Sequence, residues 1–245
     1  MGKCDNEVGK QMSITERRPR IVILGGSGGI GKELVSHLSH LDIELIGTYF
    51  VNKPKITAGI KWHKLDIRSY IELEAFYSKI FKDGSIDAVV DCTGISQASK
   101  LSSVSAIEIK NIIQTNLIST LWVAKLSLKY LSAGGVLILI SSIAVKTNPK
   151  GATIYSISKA GIEQSVLAFA NEFIEKKKRI YCIRLGYTKY GMQKKIKRSV
   201  MKKIEREIPI GRLGTGEDIG FIVNYLLDQR SEYANGSILT FSGGV

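Results

Sequence analysis

Five short runs dominate the hydrophobic pattern of the chain: IVIL at 21–24, IELIGTY at 43–49, IDAVVD at 86–91, VLILIS at 136–141 and IYCIRL at 180–185. They are rich in β-branched residues and almost continuously apolar. A strand with one face in water alternates apolar and polar positions, so runs of this kind predict strands covered on both faces. A sixth run, SILTFSGG at 237–244, adds one more strand. Between the runs, segments 30–41, 69–82, 105–131, 153–177 and 216–229 carry helical spacing, as at Ile112, Leu117, Leu121 and Leu128. Strands alternating with helices predict an α/β fold with a parallel sheet flanked by helices. No internal repeat, low-complexity tract or interdomain linker interrupts the pattern, and with only four prolines the breaks fall mainly on glycine and asparagine. A disordered polar tail is expected over 1–19, followed by a single domain over 20–245.

Charge widens the range of partners. The 245 residues carry 35 Lys plus Arg against 22 Asp plus Glu, a formal net charge of +13. That balance favours acidic partners such as phosphorylated cofactors, acidic carrier proteins, nucleic acid or anionic membrane, while a solvated lysine-rich surface accounts for it equally well. No helix-turn-helix, zinc or aromatic-stacking pattern accompanies the charge, so no nucleic-acid partner is expected. No apolar run approaches membrane-spanning length, and residues 1–19 hold no apolar core of a signal peptide, which predicts a soluble cytoplasmic protein. Cys4, Cys92 and Cys182 form neither a CxxC pair nor an even framework, so no metal and no disulfide scaffold is expected. In MGKCDN, Asn6 stands where the myristoylation pattern has Ser or Thr, and no lipid anchor is expected.

Two stretches carry chemistry. The first strand runs directly into LGGSGGIGKEL at 24–34. A glycine-rich turn between a strand and a helix leaves free amides at the helix N-terminus, where the dipole favours an anion, and lets a pyrophosphate approach the backbone. On composition alone GGSGG could equally be a tight turn or a linker, and its position between strand and helix favours dinucleotide binding. In the second stretch, ISSIAVKTNPKGATIYSISKAGIE at 140–163, Tyr155 and Lys159 are four apart and share one helix face. A phenol titrates near pH 10, so a neighbouring ammonium that favours its ionised form suits it to proton transfer near neutrality. Such a pair is more often a surface pair than a catalytic one. Ser142, just past a predicted strand, could donate a hydrogen bond to a substrate oxygen.

Together, the glycine turn after the first strand, Ser142 thirteen residues before Tyr155, and Tyr155-x-x-x-Lys159 resemble the short-chain dehydrogenase/reductase family. The resemblance runs from about residue 20 to the C-terminus. Asp66 in LDI matches the family acid that contacts adenine, DCTG at 91–94 is similar to its Asn-Asn-Ala-Gly turn, and Asn116 in QTNLIST matches its helix asparagine. IPIGRLGTGEDIG and the closing FSGG resemble its C-terminal segments. The resemblance implies a Rossmann-type, doubly wound parallel sheet of about seven strands, with a nicotinamide cofactor across the C-terminal strand edge. It implies that Tyr155 donates a proton to the carbonyl oxygen, Lys159 lowers the phenol pKa and holds the nicotinamide ribose, Ser142 polarises the carbonyl and Asn116 supports a water-linked proton path. Cofactor contacts are implied for Gly25, Ser27, Gly28, Gly29, Ile30 and Gly31 in the first turn, and for Tyr49, Asn52 and Lys53 after the second strand. Asp66, Ile67, Cys92, Thr93, Gly94, Gly186 and Thr188 complete the implied set, with Tyr155 and Lys159 at the nicotinamide end.

The chain departs from the family pattern at several points. Leu24 replaces the Thr before the first glycine, Asp91 and Cys92 replace an Asn pair, Leu185-Gly186 replaces Pro-Gly, and Tyr190 falls near the Thr that bonds the carboxamide. NAD users place an acid after the second strand to accept from the ribose hydroxyls. GTYFVNKPK has none and offers Tyr49, Asn52 and Lys53, which favours NADP(H) over NAD(H), although Gly28 stands where many NADP(H)-binding relatives carry Arg or Lys.

In YGMQKKIKRSVMKKIEREIP at 190–209, Met192, Ile196, Val200, Ile204 and Ile208 form an apolar stripe. Lys194, Lys195, Lys197, Arg198, Lys202, Lys203 and Arg206 fall on other faces, which suits a lid over 188–210 with a basic exterior. Lys125, Lys129 and Lys176 are expected to extend a basic rim at its mouth. The nearest resemblance is to 3-oxoacyl-[acyl-carrier-protein] reductases of fatty acid biosynthesis, implying a 3-oxoacyl thioester substrate, an acyl carrier protein partner and a homotetramer built on helices 105–131 and 153–177. A sugar, polyol or secondary-metabolite reductase is the near alternative. A catalytically idle dinucleotide-binding regulator is the alternative of another class.

Overall fold

A computed structural model describes residues 17–54, 59–190 and 198–245. Its centre is a seven-stranded parallel sheet in the order β3-β2-β1-β4-β5-β6-β7. The strands are β1 (Arg20–Leu24), β2 (Glu44–Tyr49), β3 (Lys61–Lys64), β4 (Ile86–Asp91), β5 (Leu131–Ser142), β6 (Arg179–Leu185) and β7 (Ile238–Phe241). Alternate residues explain the continuous apolar runs. Val22, Leu24, Val89, Leu137, Leu139 and Cys182 enter one core, whereas Ile21, Ile23, Val90, Ile138, Ile140 and Ile183 enter the other. The first core is covered by α2 (Tyr70–Lys82), α4 (Ser119–Tyr130) and α6 (Thr153–Glu175), and the second by α1 (Gly29–Leu38) and α8 (Gly216–Leu227).

The chain leaves β1 in one lateral direction and returns to β4 on its other side. That reversal of strand order opens a crevice at the C-terminal ends of β1 and β4, the usual ligand position in open α/β sheets.

Three features differ from the sequence pattern. KWHK, which forms β3, has no apolar run: as an edge strand it exposes Lys61 and Lys64, while Trp62 joins the second core and His63 meets Phe76 edge-on at 5.4 Å. The segment expected as one helix over 105–131 is α3 (Ala106–Ile113), a π-turn at Gln114–Ile118 and then α4, which passes into β5 without a loop. In the wide turn, Ser119 Oγ donates to Gln114 O at 2.7 Å and Thr120 Oγ1 to Asn116 O at 2.8 Å, satisfying carbonyls that the distorted ladder leaves. The helix of the basic segment, α7, spans Arg198–Glu207; Ile208 lies beyond it and is buried, whereas Met192, Lys194, Lys195, Ile196 and Lys197 lie outside the described residues. A short helix, α5 (Ala144–Thr147), follows β5. At the N-terminal end, Arg17 pairs with Asp87 at 2.8 Å and the Glu44 amide donates to Pro19 O at 2.8 Å.

Candidate active site

The glycine turn joins β1 to α1, and Gly28 N closes it by donating to Gly25 O at 2.9 Å. Gly28 is the N-cap of α1 and no side chain caps it, so the amides of the first helical turn face the crevice end without a side-chain acceptor. Gly31 explains the third glycine: a Cβ there would lie 2.3 Å from Gly25 O, so only glycine lets the first helical turn press against the loop. Leu24 supplies no hydroxyl, but a neighbouring strand does. Thr48 Oγ1 accepts from Gly25 N at 3.0 Å, tying the loop to β2.

The loop borders a cavity of about 380 Å³ that brings most of the sequence-predicted cofactor residues together. Gly25, Ser27 and Gly28 line it from the first turn, Tyr49 and Asn52 from the end of β2, Asp66 and Ile67 from beyond β3, and Cys92, Thr93 and Gly94 from beyond β4. Gly29, Ile30 and Gly31 stand behind the lining in α1. Lys53 is exposed and is not part of the lining. The cation on this wall is Arg68, which sequence reading missed; its guanidinium lies 4.9 Å from the Phe50 ring centroid and grips Asp66 through Nε and Nη2 at 2.8 and 2.7 Å. Those hydrogen bonds hold the Asp66 carboxyl below its usual range, against a smaller effect of burial. The only sequence signal was a basic residue two positions after the acid in LDIR.

Gly186 and Thr188 lie apart from this cavity, beyond β6. Gly186 N donates to Phe241 O at 3.0 Å, and Thr188, whose hydroxyl donates to Tyr190 O at 2.9 Å, borders a second cavity of about 410 Å³.

At the end of β4, the substituted turn is rebuilt around Asp91. Its buried carboxylate accepts from Thr93 N at 2.9 Å and Thr93 Oγ1 at 2.6 Å, and Thr120 Oγ1 lies 3.2 Å from its second oxygen. Burial pushes this carboxyl above its usual range, opposed by the Thr93 hydrogen bonds and by the charge of Lys159.

The four candidate catalytic residues come from three elements. Ser142 ends β5, and its hydroxyl accepts from Ala144 N at 3.2 Å. Tyr155 is half-buried in the first turn of α6. One turn on, Lys159 is only 3% exposed; its Nζ donates to Ile140 O at 2.8 Å and lies 5.9 Å from the Tyr155 ring centroid. Asn116 sits in the π-turn, fully buried. Its Nδ2 donates to Ile95 O at 2.9 Å and Ser158 Oγ at 3.0 Å, while Oδ1 accepts from Ile95 N at 2.8 Å. Gly94 connects this group to the cavity that it lines. With φ +154, it would bring a Cβ to 3.3 Å from Lys159 Nζ and 3.4 Å from Asn116 Oδ1, and glycine relieves that contact.

A family model described as "Enoyl-(Acyl carrier protein) reductase" matches residues 25–245, which include the glycine turn, the π-turn asparagine and the Ser142–Tyr155–Lys159 group. The chain belongs to the short-chain dehydrogenase/reductase family. It is therefore an oxidoreductase of a family that uses a nicotinamide cofactor. This dehydrogenase/reductase is 25% identical to a 3-oxoacyl-[acyl-carrier-protein] reductase of Chlamydia pneumoniae over 96% of this chain and 99% of that one. It is also 25% identical to an acetoacetyl-CoA reductase of Cupriavidus necator, over 91% of this chain and 96% of the relative. Among solved structures, a short-chain dehydrogenase/reductase from Serratia marcescens superposes with a TM-score of 0.85 at 20% identity, covering 92% of this chain and 97% of that one. An aldohexose dehydrogenase of Thermoplasma acidophilum gives a TM-score of 0.85 at 21% identity, over 93% and 94%. At those identities the two structures speak to the fold alone.

The cavity fits a dinucleotide on the oxidoreductase's own geometry: an uncapped helix N-terminus, a turn whose close approach to the helix requires glycine, and a wall bearing Arg68 and Asp66. Among the described residues no cluster of His, Cys, Asp or Glu could hold a metal ion.

The expected basic rim is not assembled. Lys129 and Lys176 lie at the C-terminal ends of α4 and α6, which lead into β5 and β6, so they sit at the opposite end of the sheet from Ser142. Along α6 alone, Lys176 is roughly 25 Å from Lys159 at 1.5 Å per residue. Lys129 pairs with Glu74 at 3.9 Å, and Lys125 lies over the Tyr70 ring at 5.2 Å. Net charge says nothing about which end of a helix faces the crevice.

Proposed function

We propose that the protein is an NADP(H)-dependent ketoreductase of 3-oxoacyl thioesters. The observation that carries the catalytic part is that Lys159, 5.9 Å from the Tyr155 ring, and Asn116 both come up against Gly94, which lines the cavity, while Ser142 ends the strand whose Ile140 carbonyl holds Lys159. When bound, the nicotinamide supplies the hydride. Tyr155 gives its hydroxyl proton to the substrate oxygen. Lys159, fixed by Ile140 O, sets its ammonium 5.9 Å from the Tyr155 ring centroid, and Ser142 donates to the same oxygen. Asn116 keeps the β4–α3 loop in register and supports a proton path through its helix turn.

The thioester assignment is supported by the two curated relatives whose names carry that substrate class. The exposed basic residues Lys202, Lys203 and Arg206 on α7 suit an acidic carrier protein as partner. The NADP(H) assignment is supported by the absence of an acid after β2 and by Arg68 on the cavity wall, whose Nη1 makes no hydrogen bond among the described residues. Exposed Ile107 (73%), Ile157 (54%) and Leu167 (53%) on α3 and α6 suit burial in a homotetramer. No helix among the described residues is long and apolar enough to cross a membrane; a cytoplasmic place in fatty acid biosynthesis is proposed from the carrier-protein reductase relative alone.

Tyr155→Phe should abolish NADPH oxidation with acetoacetyl thioesters while leaving cofactor affinity intact; full turnover in that variant refutes the catalytic assignment. Rapid reduction of a sugar ketone with no turnover of the thioester refutes the substrate. On the cofactor, 2′,5′-ADP should bind better than 5′-AMP, and Arg68→Gln should erase the difference, about tenfold for a charge-assisted phosphate contact.

A further inference from the structure

One buried acid near the site has no part in the chemistry above. Glu163 stands one turn beyond Lys159 on α6 and is 6% exposed. Its Oε1 accepts from Ser141 Oγ and from Arg184 Nε, both at 2.8 Å, and its Oε2 accepts from Arg184 Nη2. Arg184 Nη1 reaches on to Thr240 Oγ1 at 3.0 Å, and Ser141 Oγ also lies 3.3 Å from Lys159 O.

These contacts have an order. Three successive residues of β5 each engage the site: Ile140 O holds Lys159 Nζ, Ser141 Oγ holds Glu163 and approaches the Lys159 carbonyl, and Ser142 carries the hydroxyl at the strand end. Glu163 is thus the point at which the helix bearing Tyr155 and Lys159 is bolted to the strand bearing Ser142, with β6 and β7 drawn in through Arg184 and Thr240. A largely buried carboxylate that accepts from three side-chain donor atoms has one geometry, and a slip of the helix along the sheet would part both charges.

We infer that Glu163 is a positioning residue, held by Arg184 and Ser141, that sets the separation between Ser142 on β5 and the Tyr155–Lys159 pair on α6. The inference rests on the catalytic assignment above. It concerns the reacting geometry and not the nucleotide cavity, whose lining does not include Glu163, Arg184 or Ser141.

The test uses the full chain with Glu163→Gln, Arg184→Met and the double variant, reading kcat, cofactor Kd and thermal midpoint on a ketone that the wild type reduces. Glu163→Gln should lower kcat about tenfold to a hundredfold, as misplacement of reacting groups does, with cofactor Kd within about twofold of wild type. Removing one partner of a buried pair also lowers the thermal midpoint, so the double variant separates the two effects: it should recover the midpoint, having no stranded charge, and keep the low kcat. The inference is overturned if Glu163→Gln changes only the midpoint, or if kcat returns with the midpoint in the double variant. Failure of Tyr155→Phe to stop turnover would instead strike the catalytic assignment itself, so the two failures are told apart.

Discussion

Asn116→Ala offers the sharpest view of how the π-turn serves the site. The side chain is fully buried and makes three hydrogen bonds, two of them to both backbone groups of Ile95. Ile95 lines the nucleotide cavity, so the asparagine clamps one wall of it. A net hydrogen bond contributes about 1 kcal/mol, and a buried group left unpaired costs more than an exposed one. Because Ile95 is 41% exposed, its freed backbone groups rehydrate, and the loss is then about 2 kcal/mol rather than the full sum. For a chain of this size that corresponds to a thermal midpoint lower by about 4–8 °C. If about 1 kcal/mol of the clamp serves to hold the wall in its binding geometry, affinity for the dinucleotide falls roughly fivefold. Circular-dichroism melting and fluorescence titration with the cofactor read the two quantities independently of turnover. A variant with a midpoint within about 1 °C of wild type and unchanged cofactor affinity, but reduced turnover, would refute the clamp and leave the asparagine only the proton-path role proposed for it.

Two further outcomes follow from the same geometry. Gly31→Ala places a Cβ 2.3 Å from Gly25 O, so it should cost about 1–3 kcal/mol of stability by overpacking and weaken dinucleotide binding at least tenfold; calorimetric affinity equal to wild type would show that the turn and helix need not touch. Asp218 is held well below the usual carboxylate range by the Arg212 hydrogen bonds and, secondarily, by Thr215, against burial. A depressed folded-state pKa gives stability that is present above the unfolded value of about 3.9 and is lost as pH falls through the folded one. Melting midpoints should therefore drop below about pH 4, and Asp218→Asn should flatten that drop while lowering the midpoint at pH 7; an unaltered acid limb in the variant would mean that other carboxylates carry it.

Which parts of this molecule could be read from the chain depends on the distance over which each signal acts. Five strands were readable because both sheet faces are buried and most residues of a run must then be apolar, whichever core they enter; β7, an edge strand and only partly buried, showed through its short ILTF run. β3 escaped because an edge strand needs only Trp62 and His63 inward, and its lysines erase the run. The π-turn escaped because a helix with one widened turn keeps nearly the same apolar spacing on both sides of the break. The glycine turn and the Tyr155–Lys159 pair are local: one is contiguous, the other a single helical turn, so spacing alone puts their atoms together.

The remaining site residues have partners on other elements, and no local pattern marks them. Thr48 supplies from β2 the hydroxyl that Leu24 lacks on β1, Arg68 meets Phe50 across the cavity wall, and Glu163 needs Ser141 and Arg184 from two strands. Each is an ordinary residue type in its own segment and becomes informative only when strand order is known. The lysines show the converse error. Charge was counted correctly, but a side chain's place along a helix decides whether it meets the crevice, and Lys129 and Lys176 sit where α4 and α6 hand over to the next strand. In a parallel sheet every helix runs antiparallel to its strands, so basic residues near a helix C-terminus belong to the end away from the ligand. That rule removes the lower ends of α4 and α6 from any attraction of an acidic partner at the crevice, whatever their charge.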